Sequence, residues 1–208
     1  MRVIAIVDYG MGNLRSVQKG FEHAGVPDVV VTSDPAAVEK AHGVVLPGVG
    51  AFRDAAENLR SSGMWDLVRE RVDAGVPLLG ICLGMQLLVD VSYEDGEWEG
   101  LGLVPGACER LPAGVKVPHI GWNTVEQPRE SALFAGIPDG TAFYFVHSYR
   151  VVPEDESCII GRAEHGVPFA AAIEHGRVFG VQFHPEKSSA FGLAVLANFG
   201  CIVSGEGS

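Results

Sequence analysis

A cysteine between two glycines is the residue of this sequence best suited to covalent chemistry. Cys82 stands in Gly80-Ile81-Cys82-Leu83-Gly84, at the end of a mostly apolar run at residues 76–81 that predicts a buried strand. This spacing is typical of a nucleophile elbow, a sharp strand-to-helix turn with a reactive side chain at its apex. The start of the following helix would favour a thiolate over a thiol. The alternative is that Cys82 is a small buried apolar residue, which is a common role of a free cysteine.

A cysteine nucleophile needs a base and a group that orients the base. His184 is the best candidate base, because it follows an apolar strand predicted at residues 178–183 and precedes Glu186 by two positions. In extended backbone, residues two apart point the same way, so the Glu186 carboxylate can reach the His184 ring. The pattern is weak alone, but with Cys82 it predicts a triad of nucleophile, base and orienting carboxylate.

Acyl transfer also needs hydrogen-bond donors aimed at the developing oxyanion. The backbone N–H of Leu83, directly after the nucleophile, is the expected first donor, and the turn Gly48-Val49-Gly50 is the expected second. This turn follows a predicted parallel strand, as do Gly10-Met11-Gly12-Asn13 and the turn at Cys82. Because ligands bind at the carboxyl ends of parallel strands, we expect the three turns to meet in one crevice. A plain strand-to-helix loop would explain the glycines of the second turn without a ligand.

The other six histidines have simpler interpretations. His119 and His147 are flanked by aromatic or apolar residues and are interpreted as structural. The remaining four have polar neighbours and are interpreted as solvated surface residues: His23, His42, His165 and His175.

Short apolar strands alternate with helices through the first half of the chain, which predicts right-handed crossovers and a parallel sheet covered on both faces. We expect an α/β fold: a single-domain, open, mostly parallel sheet with antiparallel strands added at one edge. The domain is predicted to cover residues 1–203, with a flexible tail at 204–208. The predicted strands are 3–8, 29–32, 44–46, 76–81, 115–118, 141–146 and 169–174, and the predicted helices are 13–23, 35–41, 51–73 with a break near 61–63, 85–90 and 189–203.

Composition excludes several classes of function. The formal net charge of −11, without a cluster of Lys or Arg, makes nucleic acid an improbable partner. The four cysteines form no C-x-x-C pair, which argues against a disulfide framework or a zinc site. No apolar run is long enough to span a membrane and the N-terminus lacks a signal-peptide pattern, so we expect a cytoplasmic protein without a membrane partner.

These motifs together resemble the class I (triad) glutamine amidotransferases, and among them the glutaminase subunits of imidazole glycerol phosphate synthase. The elbow and His184-Pro185-Glu186 identify only the superfamily, whereas the stretches through residues 46–52, 118–123 and 144–149 are more specific. The resemblance covers nearly the whole chain, to about residue 203. The matching stretches are Asp8-Tyr9-Gly10-Met11-Gly12-Asn13-Leu14, Leu46-Pro47-Gly48-Val49-Gly50-Ala51-Phe52, Gly80-Ile81-Cys82-Leu83-Gly84-Met85-Gln86, Pro118-His119-Ile120-Gly121-Trp122-Asn123, Tyr144-Phe145-Val146-His147-Ser148-Tyr149, and Gly180-Val181-Gln182-Phe183-His184-Pro185-Glu186-Lys187-Ser188.

The resemblance implies a role for each matching residue. Cys82 would be the nucleophile, His184 the acid and base, and Glu186 its orienting group. Gln86 would help to hold the substrate L-glutamine, and in the family the oxyanion loop can have a peptide turned the wrong way until the partner binds its own substrate. Backbone at His147, Ser148 and Tyr149 would bind the α-amino and carboxylate ends of glutamine, and Asn13, Trp122, Tyr144 and Lys187 would contact the partner.

The implied reaction is hydrolysis of glutamine through a cysteinyl thioester, with no metal or organic cofactor. Ammonia would pass to a separate (β/α)8-barrel cyclase subunit, which makes imidazole glycerol phosphate and an aminoimidazole carboxamide ribotide in histidine biosynthesis. One alternative is a glutaminase subunit of another pathway, which would not be expected to share residues 118–123 and 144–149. Others are a catalytically silent scaffold subunit, which a complete triad disfavours, and a cysteine hydrolase of other amides.

Overall fold

The structure, a computed structural model, describes residues 2–205. Strands and helices alternate regularly as far as the fourth strand, and strands dominate after it. The strands are β1 Ile4–Val7, β2 Val29–Thr32, β3 Gly43–Gly48, β4 Leu78–Cys82, β5 Val89–Ser92, β6 Trp98–Glu99, β7 Val104–Arg110, β8 His119–Val125, β9 Thr141–His147, β10 Tyr149–Pro153, β11 Ile159–Glu164, β12 Pro168–His175 and β13 Val178–Val181. The helices are α1 Leu14–His23, α2 Pro35–Glu39, α3 Phe52–Ser61, α4 Met64–Asp73, α5 Leu83–Gln86 and α6 Ser189–Ser204.

A seven-stranded sheet with the order β11-β12-β13-β4-β3-β1-β2 forms the centre of the fold. The five strands from β13 to β2 are parallel to one another, and β12 and β11 continue one edge in antiparallel pairing. The predicted α/β fold with a mostly parallel sheet and added antiparallel edge strands is therefore confirmed.

Both faces of this sheet carry helices, as the alternating strand pattern requires. In β1, Ala5 and Val7 pack into one apolar cluster, while Ile4 and Ile6 pack into a second. The first cluster contains the buried side chains of α3 and α4, and the second contains those of α1 and α6. Because successive side chains of a strand point to opposite faces, one central sheet supports two separate cores.

Not all of the additional strands lie at the sheet edge, and this corrects the prediction. β8 and β9 form a separate antiparallel pair, and β10, β7, β5 and β6 form a four-stranded sheet of their own. The strand predicted at residues 115–118 is absent from the described part of the chain, where bends and irregular backbone occupy this segment after a turn at residues 113–114. Pro118 cannot donate to a strand ladder, and Gly114 has a φ of 97°, which favours a turn.

The helix after Cys82 starts two residues earlier and ends four residues earlier than predicted. It covers only Leu83–Gln86 instead of residues 85–90, and the strand β5 begins at Val89. Residues 89–92 alternate valine with polar residues, a pattern that favours a strand. β5 pairs with β7 and β6, so tertiary pairing ends the helix after about one turn.

The last helix extends one residue further than predicted, to Ser204, and Gly205 ends it with a φ of 77°. Residues 206–208 of the predicted tail lie outside the described residues. The division into a domain at 1–203 and a tail at 204–208 stays a prediction.

Candidate active site

Cys82 lies at a sharp turn between β4 and α5. Its φ of 55° and ψ of −108° are unusual for a residue with a side chain, and such strain is frequent at functional sites. The flanking glycines are required by close backbone contacts: a Cβ on Gly84 would overlap the Leu46 carbonyl, and one on Gly80 would lie 2.7 Å from the Gly84 carbonyl oxygen. The turn therefore has the geometry of a nucleophile elbow.

His184 reaches Cys82 because β13 lies beside β4 in the sheet. The two strands pair in parallel, with Val181 opposite Ile81, so the residues that follow them meet at the same edge. His184 Nδ1 and Glu186 Oε1 are 2.9 Å apart, and the side chains are 2% and 0% exposed. The predicted pairing is present, but its predicted cause is not: residues 185–187 form a 3₁₀ turn rather than extended backbone, and the turn brings the two side chains together.

The charges of this pair stabilise each other. Burial disfavours an imidazolium at His184, but hydrogen bonds and charge interactions with Cys82 and Glu186 outweigh burial and raise the pKa of His184 to about 9. Burial also acts against a charged Glu186, yet the neighbouring His184 and Asn13 hold the pKa of this carboxyl below its usual value. The site therefore favours an imidazolium beside a carboxylate at neutral pH.

Asn13 contacts the triad instead of projecting only towards a partner. Its Nδ2 donates to Glu186 Oε1 at 2.7 Å, from a residue with a left-handed φ of 78° at the start of α1. Asparagine tolerates this conformation better than most residues do. The structure thus gives Asn13 a contact that the sequence did not predict, and its predicted contact with a partner stays a prediction.

The proposed oxyanion loop lies directly beside the nucleophile. Gly48, the last residue of β3, is opposite Cys82 in the parallel pairing of β3 and β4. The Tyr9 hydroxyl donates to the Pro47 carbonyl at 2.6 Å and lies 2.6 Å from where a Cβ of Gly48 would be. Gly50 has a φ of 118°, a conformation that other residues rarely adopt. The hydrogen bond from Tyr9 therefore fixes the start of the loop, and the backbone conformation at Gly50 favours glycine at its end.

A pocket of about 380 Å³ is lined by two of the three predicted triad residues, Cys82 and His184. It is bordered by most of the residues predicted to act on or bind a substrate, which are Val49, Gly50, Cys82, Leu83, Gln86, His147, Ser148, Tyr149 and His184. Lys187, predicted to contact a partner, also borders it. A larger groove of about 470 Å³ beside α6 includes Arg2 and Cys201, but it contains none of the candidate catalytic residues.

Gln86 is buried in the wall of this pocket, and both N–H groups of its amide are used within the protein. Its Nε2 donates to the Tyr149 carbonyl and to Gln182 Oε1, each at 3.1 Å. Only the Gln86 Oε1 therefore remains to accept a hydrogen bond from a substrate.

Glu94 is a pocket residue that the sequence interpretation left without a role. It borders the pocket, and its Oε2 accepts a hydrogen bond of 2.7 Å from the Phe52 N–H at the start of α3. Burial is the main cause that raises the pKa of Glu94. The signal in the sequence was an acidic loop, residues 92–99, close after a nucleophile elbow.

His119, His147 and His165 form a second group of histidines beside the pocket. His147 Nε2 lies 2.9 Å from His119 Nδ1, and the ring centroids of His119 and His165 are 4.2 Å apart in a stacked arrangement. Burial is the main cause that lowers the pKa of both His119 and His147 to about 4. His165, interpreted as a solvated surface residue, is partly exposed, and one face of its ring packs on His119.

Two of the four residues predicted to contact a partner, Trp122 and Tyr144, lie on the β8–β9 pair. Trp122 is 53% exposed, stands opposite Tyr144 in the strand pairing, and has its ring centroid 6.0 Å from the Tyr144 ring. Ile120 is 59% exposed on the same strand as Trp122. Exposed large apolar side chains grouped in this way are typical of an interaction surface.

Within residues 2–205, the acidic, histidine and cysteine side chains form no group that could hold a metal ion. No helix in this part of the chain is long and apolar enough to cross a membrane.

Comparison with known proteins links this geometry to a family. The profile of the family described as "Glutamine amidotransferase class-I" matches residues 5–202. The chain is 58% identical over 208 residues to imidazole glycerol phosphate synthase subunit HisH of Moorella thermoacetica, covering 100% of this chain and 99% of that protein. It is 50% identical to the protein of the same name from Aquifex aeolicus, covering 96% of each chain.

Solved structures share the fold at much lower sequence identity. One described as a glutamine amidotransferase has a TM-score of 0.77 at 20% identity and covers 98% of this chain and 99% of that one. A chain of PurLQS from Thermotoga maritima has a TM-score of 0.72 at 20% identity, covering 96% and 98%. At this identity the likeness concerns the fold alone.

Proposed function

From the premise that this chain belongs to the class-I glutamine amidotransferases, and among them to the HisH subunits of imidazole glycerol phosphate synthase, we propose how its own residues hydrolyse L-glutamine. The observation that carries the proposal is one pocket in which Cys82, at a strained elbow, meets the His184–Glu186 pair. A thiolate, an imidazolium and an orienting carboxylate are the groups that amide hydrolysis through a thioester requires.

The reaction proceeds in two steps. The Cys82 thiolate attacks the side-chain amide carbon of glutamine, the C–N bond breaks, and the leaving nitrogen takes a proton from His184 to depart as ammonia. Water then attacks the γ-glutamyl thioester while His184 accepts a proton from it, and the C–S bond breaks to release glutamate. Glu186 stays ionised throughout and holds the His184 ring in position.

Donors for the developing oxyanion come from backbone on two sides of Cys82. Leu83 is the first residue of α5 and directly follows the nucleophile, so its N–H is the first donor. The loop at Val49 and Gly50, which borders the same pocket, supplies the second. Glycine lets a peptide in this loop turn over at low cost, so the loop is also a suitable point of control.

Substrate specificity comes from the opposite wall of the pocket. Backbone at residues 147–149 binds the α-carboxylate and α-amino group of glutamine. Both N–H groups of the Gln86 amide are used within the protein, so its Oε1 is the atom that accepts a hydrogen bond from the α-amino group of glutamine. Glu94 adds a carboxylate at the pocket that attracts the α-ammonium.

The ammonia is used by a separate (β/α)8-barrel cyclase subunit, because the relatives that match the full length of this chain are themselves named as subunits. That subunit docks on the exposed face around Trp122, Tyr144 and Lys187. Tyr144 connects this face to the base, because its carbonyl accepts from the His184 N–H at 2.9 Å and its N–H donates to Ser188 Oγ at 3.0 Å. We place the heterodimer in the cytoplasm, with neither a membrane nor a nucleic acid as partner.

Glutamate production by the isolated chain, by the complex, and by the complex with the nucleotide ligand of the barrel tests this function. We expect slow hydrolysis by the isolated chain and a large rise in kcat in the liganded complex, because losing one oxyanion donor costs roughly 10²–10³ in rate. Cys82→Ala should abolish glutamine-dependent synthesis, whereas synthesis from added ammonia should continue.

Each alternative has a different result in this assay. A silent scaffold subunit would release no glutamate in any combination. A glutaminase subunit of another pathway would fail to bind the barrel or to respond to its ligand. Glutamine hydrolysis by Cys82→Ala at the wild-type rate would overturn the assignment of the nucleophile.

A further inference from the structure

A second buried glutamine lies behind the nucleophile. Gln182 follows β13 and is 0% exposed, and its backbone N–H donates to the Ala171 carbonyl at 2.9 Å. Its side chain lies between Cys82 and Gln86: Nε2 is 3.7 Å from the Cys82 Sγ, and Oε1 is 3.1 Å from Gln86 Nε2. Both ends of a fully buried amide are thus in contact with residues of the active site.

The orientation of this amide follows from a chain of hydrogen bonds. The Tyr149 carbonyl can only accept, so the group of Gln86 that faces it must be Nε2. The other N–H of Gln86 then donates to Gln182, which must present Oε1 to it. Gln182 is left with its Nε2 facing the sulphur. A backbone carbonyl at the pocket therefore determines which end of Gln182 faces Cys82.

We propose that Gln182 donates a hydrogen bond to the Cys82 thiolate, and that the Tyr149 carbonyl holds it in this orientation through Gln86. The inference rests on the proposed glutaminase function. A hydrogen bond to a charged group is stronger than one between neutral groups, so the donor stabilises the thiolate more than the thiol. The reversed amide would present oxygen lone pairs to the sulphur and destabilise the reactive form.

The same chain connects substrate binding to the nucleophile. Tyr149 is in the segment proposed to bind the ends of glutamine, and its carbonyl is the fixed end of the chain. A shift of this segment would change the orientation of both amides. The amide chain is thus a physical route from the substrate-binding wall to the reactivity of the sulphur.

Other groups near Cys82 also affect the reactivity of the thiol. They stay unchanged when Gln182 is replaced, so a change in reactivity is due to the lost donor. The titratable and charged groups that face the sulphur or border its pocket are Tyr9 after β1, Glu94 after β5, Cys108 on β7, His147 on β9, and His184, Glu186 and Lys187 after β13.

Gln182→Met tests the donor, because methionine has a similar length but no N–H. In the complex with the barrel subunit we expect kcat with glutamine to fall ~10-fold, with KM changed less than about twofold and ammonia-dependent synthesis unchanged. The pH midpoint of Cys82 alkylation by iodoacetamide should rise by about one unit. Alkylation is read on the peptide that contains Cys82, because Cys201 is exposed and would react as well.

Gln127→Met is the matched control. Its amide donates to two backbone carbonyls, those of Ile137 and Pro138, and its half-buried side chain lies outside the pocket. We expect wild-type kinetics and a wild-type alkylation midpoint. A purely structural role for Gln182 would give Gln182→Met a loss of stability without a shifted midpoint.

Gln86→Met is the second test of the proposed hydrogen bond, and it is used if Gln182→Met does not fold. Without the Gln86 donor the Gln182 amide is free to reverse, so the midpoint should rise by a smaller amount. An unchanged midpoint in folded Gln182→Met, or in Gln86→Met where only that variant folds, overturns the proposal. Absence of glutamate production by the wild-type complex would instead refute the proposed function, while the alkylation curves would still test the donor.

Discussion

His184 and His147 both border the active-site pocket and both are almost completely buried, but their ring nitrogens face different partners. His184 Nδ1 faces the Glu186 carboxylate at 2.9 Å, whereas His147 lies between the Tyr149 carbonyl and the His119 ring. The pKa of His184 is raised to about 9, and that of His147 is lowered to about 4. Burial alone keeps an imidazole neutral, whereas hydrogen bonds and charge interactions with Cys82 and Glu186 make an imidazolium available at His184.

The neutral pair has a defined tautomer. Because the Tyr149 carbonyl can only accept, His147 carries its proton on Nδ1, and its Nε2 must accept from His119 Nδ1. The His119 Nε2 is then the acceptor for Asn123 Nδ2 at 3.4 Å. Both ring nitrogens of His147 therefore form hydrogen bonds that hold the backbone of residues 147–149 in place. One histidine is suited to move protons and the other to keep a binding segment in place.

The largest expected effect separates these two roles. His184→Ala removes the proton donor to the leaving ammonia and the base for water, so kcat with glutamine should fall by ~10³–10⁴. Synthesis from added ammonia should not change, because the proposed barrel subunit would carry out that reaction. Steady-state kinetics of the complex with each nitrogen source provide the measurement.

His147→Gln is the matched control, since glutamine can still donate to the Tyr149 carbonyl and accept from His119. We expect kcat to fall less than about tenfold, because no proton transfer is lost. Equal losses in the two variants would break the comparison and show that His147 also takes part in the chemistry.

Glu186→Ala should have the next largest effect and make the environment of His184 more like that of His147. Without the carboxylate, the pKa of His184 should fall from about 9, although the contact with Cys82 remains. We expect kcat to fall by ~10², less than for His184→Ala, because the base remains but is no longer held in position. The profile of kcat against pH should lose activity at a lower pH than the wild-type profile does, since the leaving group needs an imidazolium. A variant profile that matches the wild-type profile would contradict the role of Glu186.

Local patterns in the sequence were sufficient to predict the elbow turn and the mostly parallel sheet. An apolar strand that ends in a cysteine between glycines predicted the elbow, and the Gly80 and Gly84 contacts show why no larger residue fits. The elbow and the parallel sheet depend on local pattern and on general rules of sheet topology. The sequence did not show that His184 would lie near Cys82, and it is the parallel pairing of β13 with β4 that brings them to one edge.

Contacts between distant segments could not be read from the same patterns. His184 and Glu186 come together through a 3₁₀ turn that was predicted as extended backbone. Glu94 reaches the pocket only because its loop packs at the start of α3, and Gln182 meets Gln86 from 96 residues away. The positions of these side chains depend on tertiary packing. A polar residue in a mixed sequence shows no periodic pattern from which such a position could be predicted.

The smallest expected effect concerns the dependence of the free energy of unfolding on pH. It follows from the opposite directions of the pKa shifts of the neutral histidine pair and of His184. An unfolded histidine has a pKa near 6.5, whereas the pKa of His147 and of His119 is about 4 in the native protein. Between these two values the unfolded chain binds more protons at these residues than the native protein does. The free energy of unfolding therefore falls as the pH falls through this range. Between about pH 6.5 and pH 9 the native protein binds more protons at His184 than the unfolded chain does, so the stabilisation from His184 is lost as the pH rises.

Each group contributes at most ~1.4 kcal/mol per pH unit, and the three shifts together predict maximal stability near pH 6.5. Denaturant unfolding of the isolated chain from pH 4.5 to pH 9 measures the dependence of stability on pH. His119→Phe should reduce the acid slope by about half. Glu186→Ala should reduce the basic slope, to which the buried thiol of Cys108 also contributes because burial raises its pKa to about 12. An acid slope that His119→Phe leaves unchanged would mean that the neutral histidine pair does not control stability in that range.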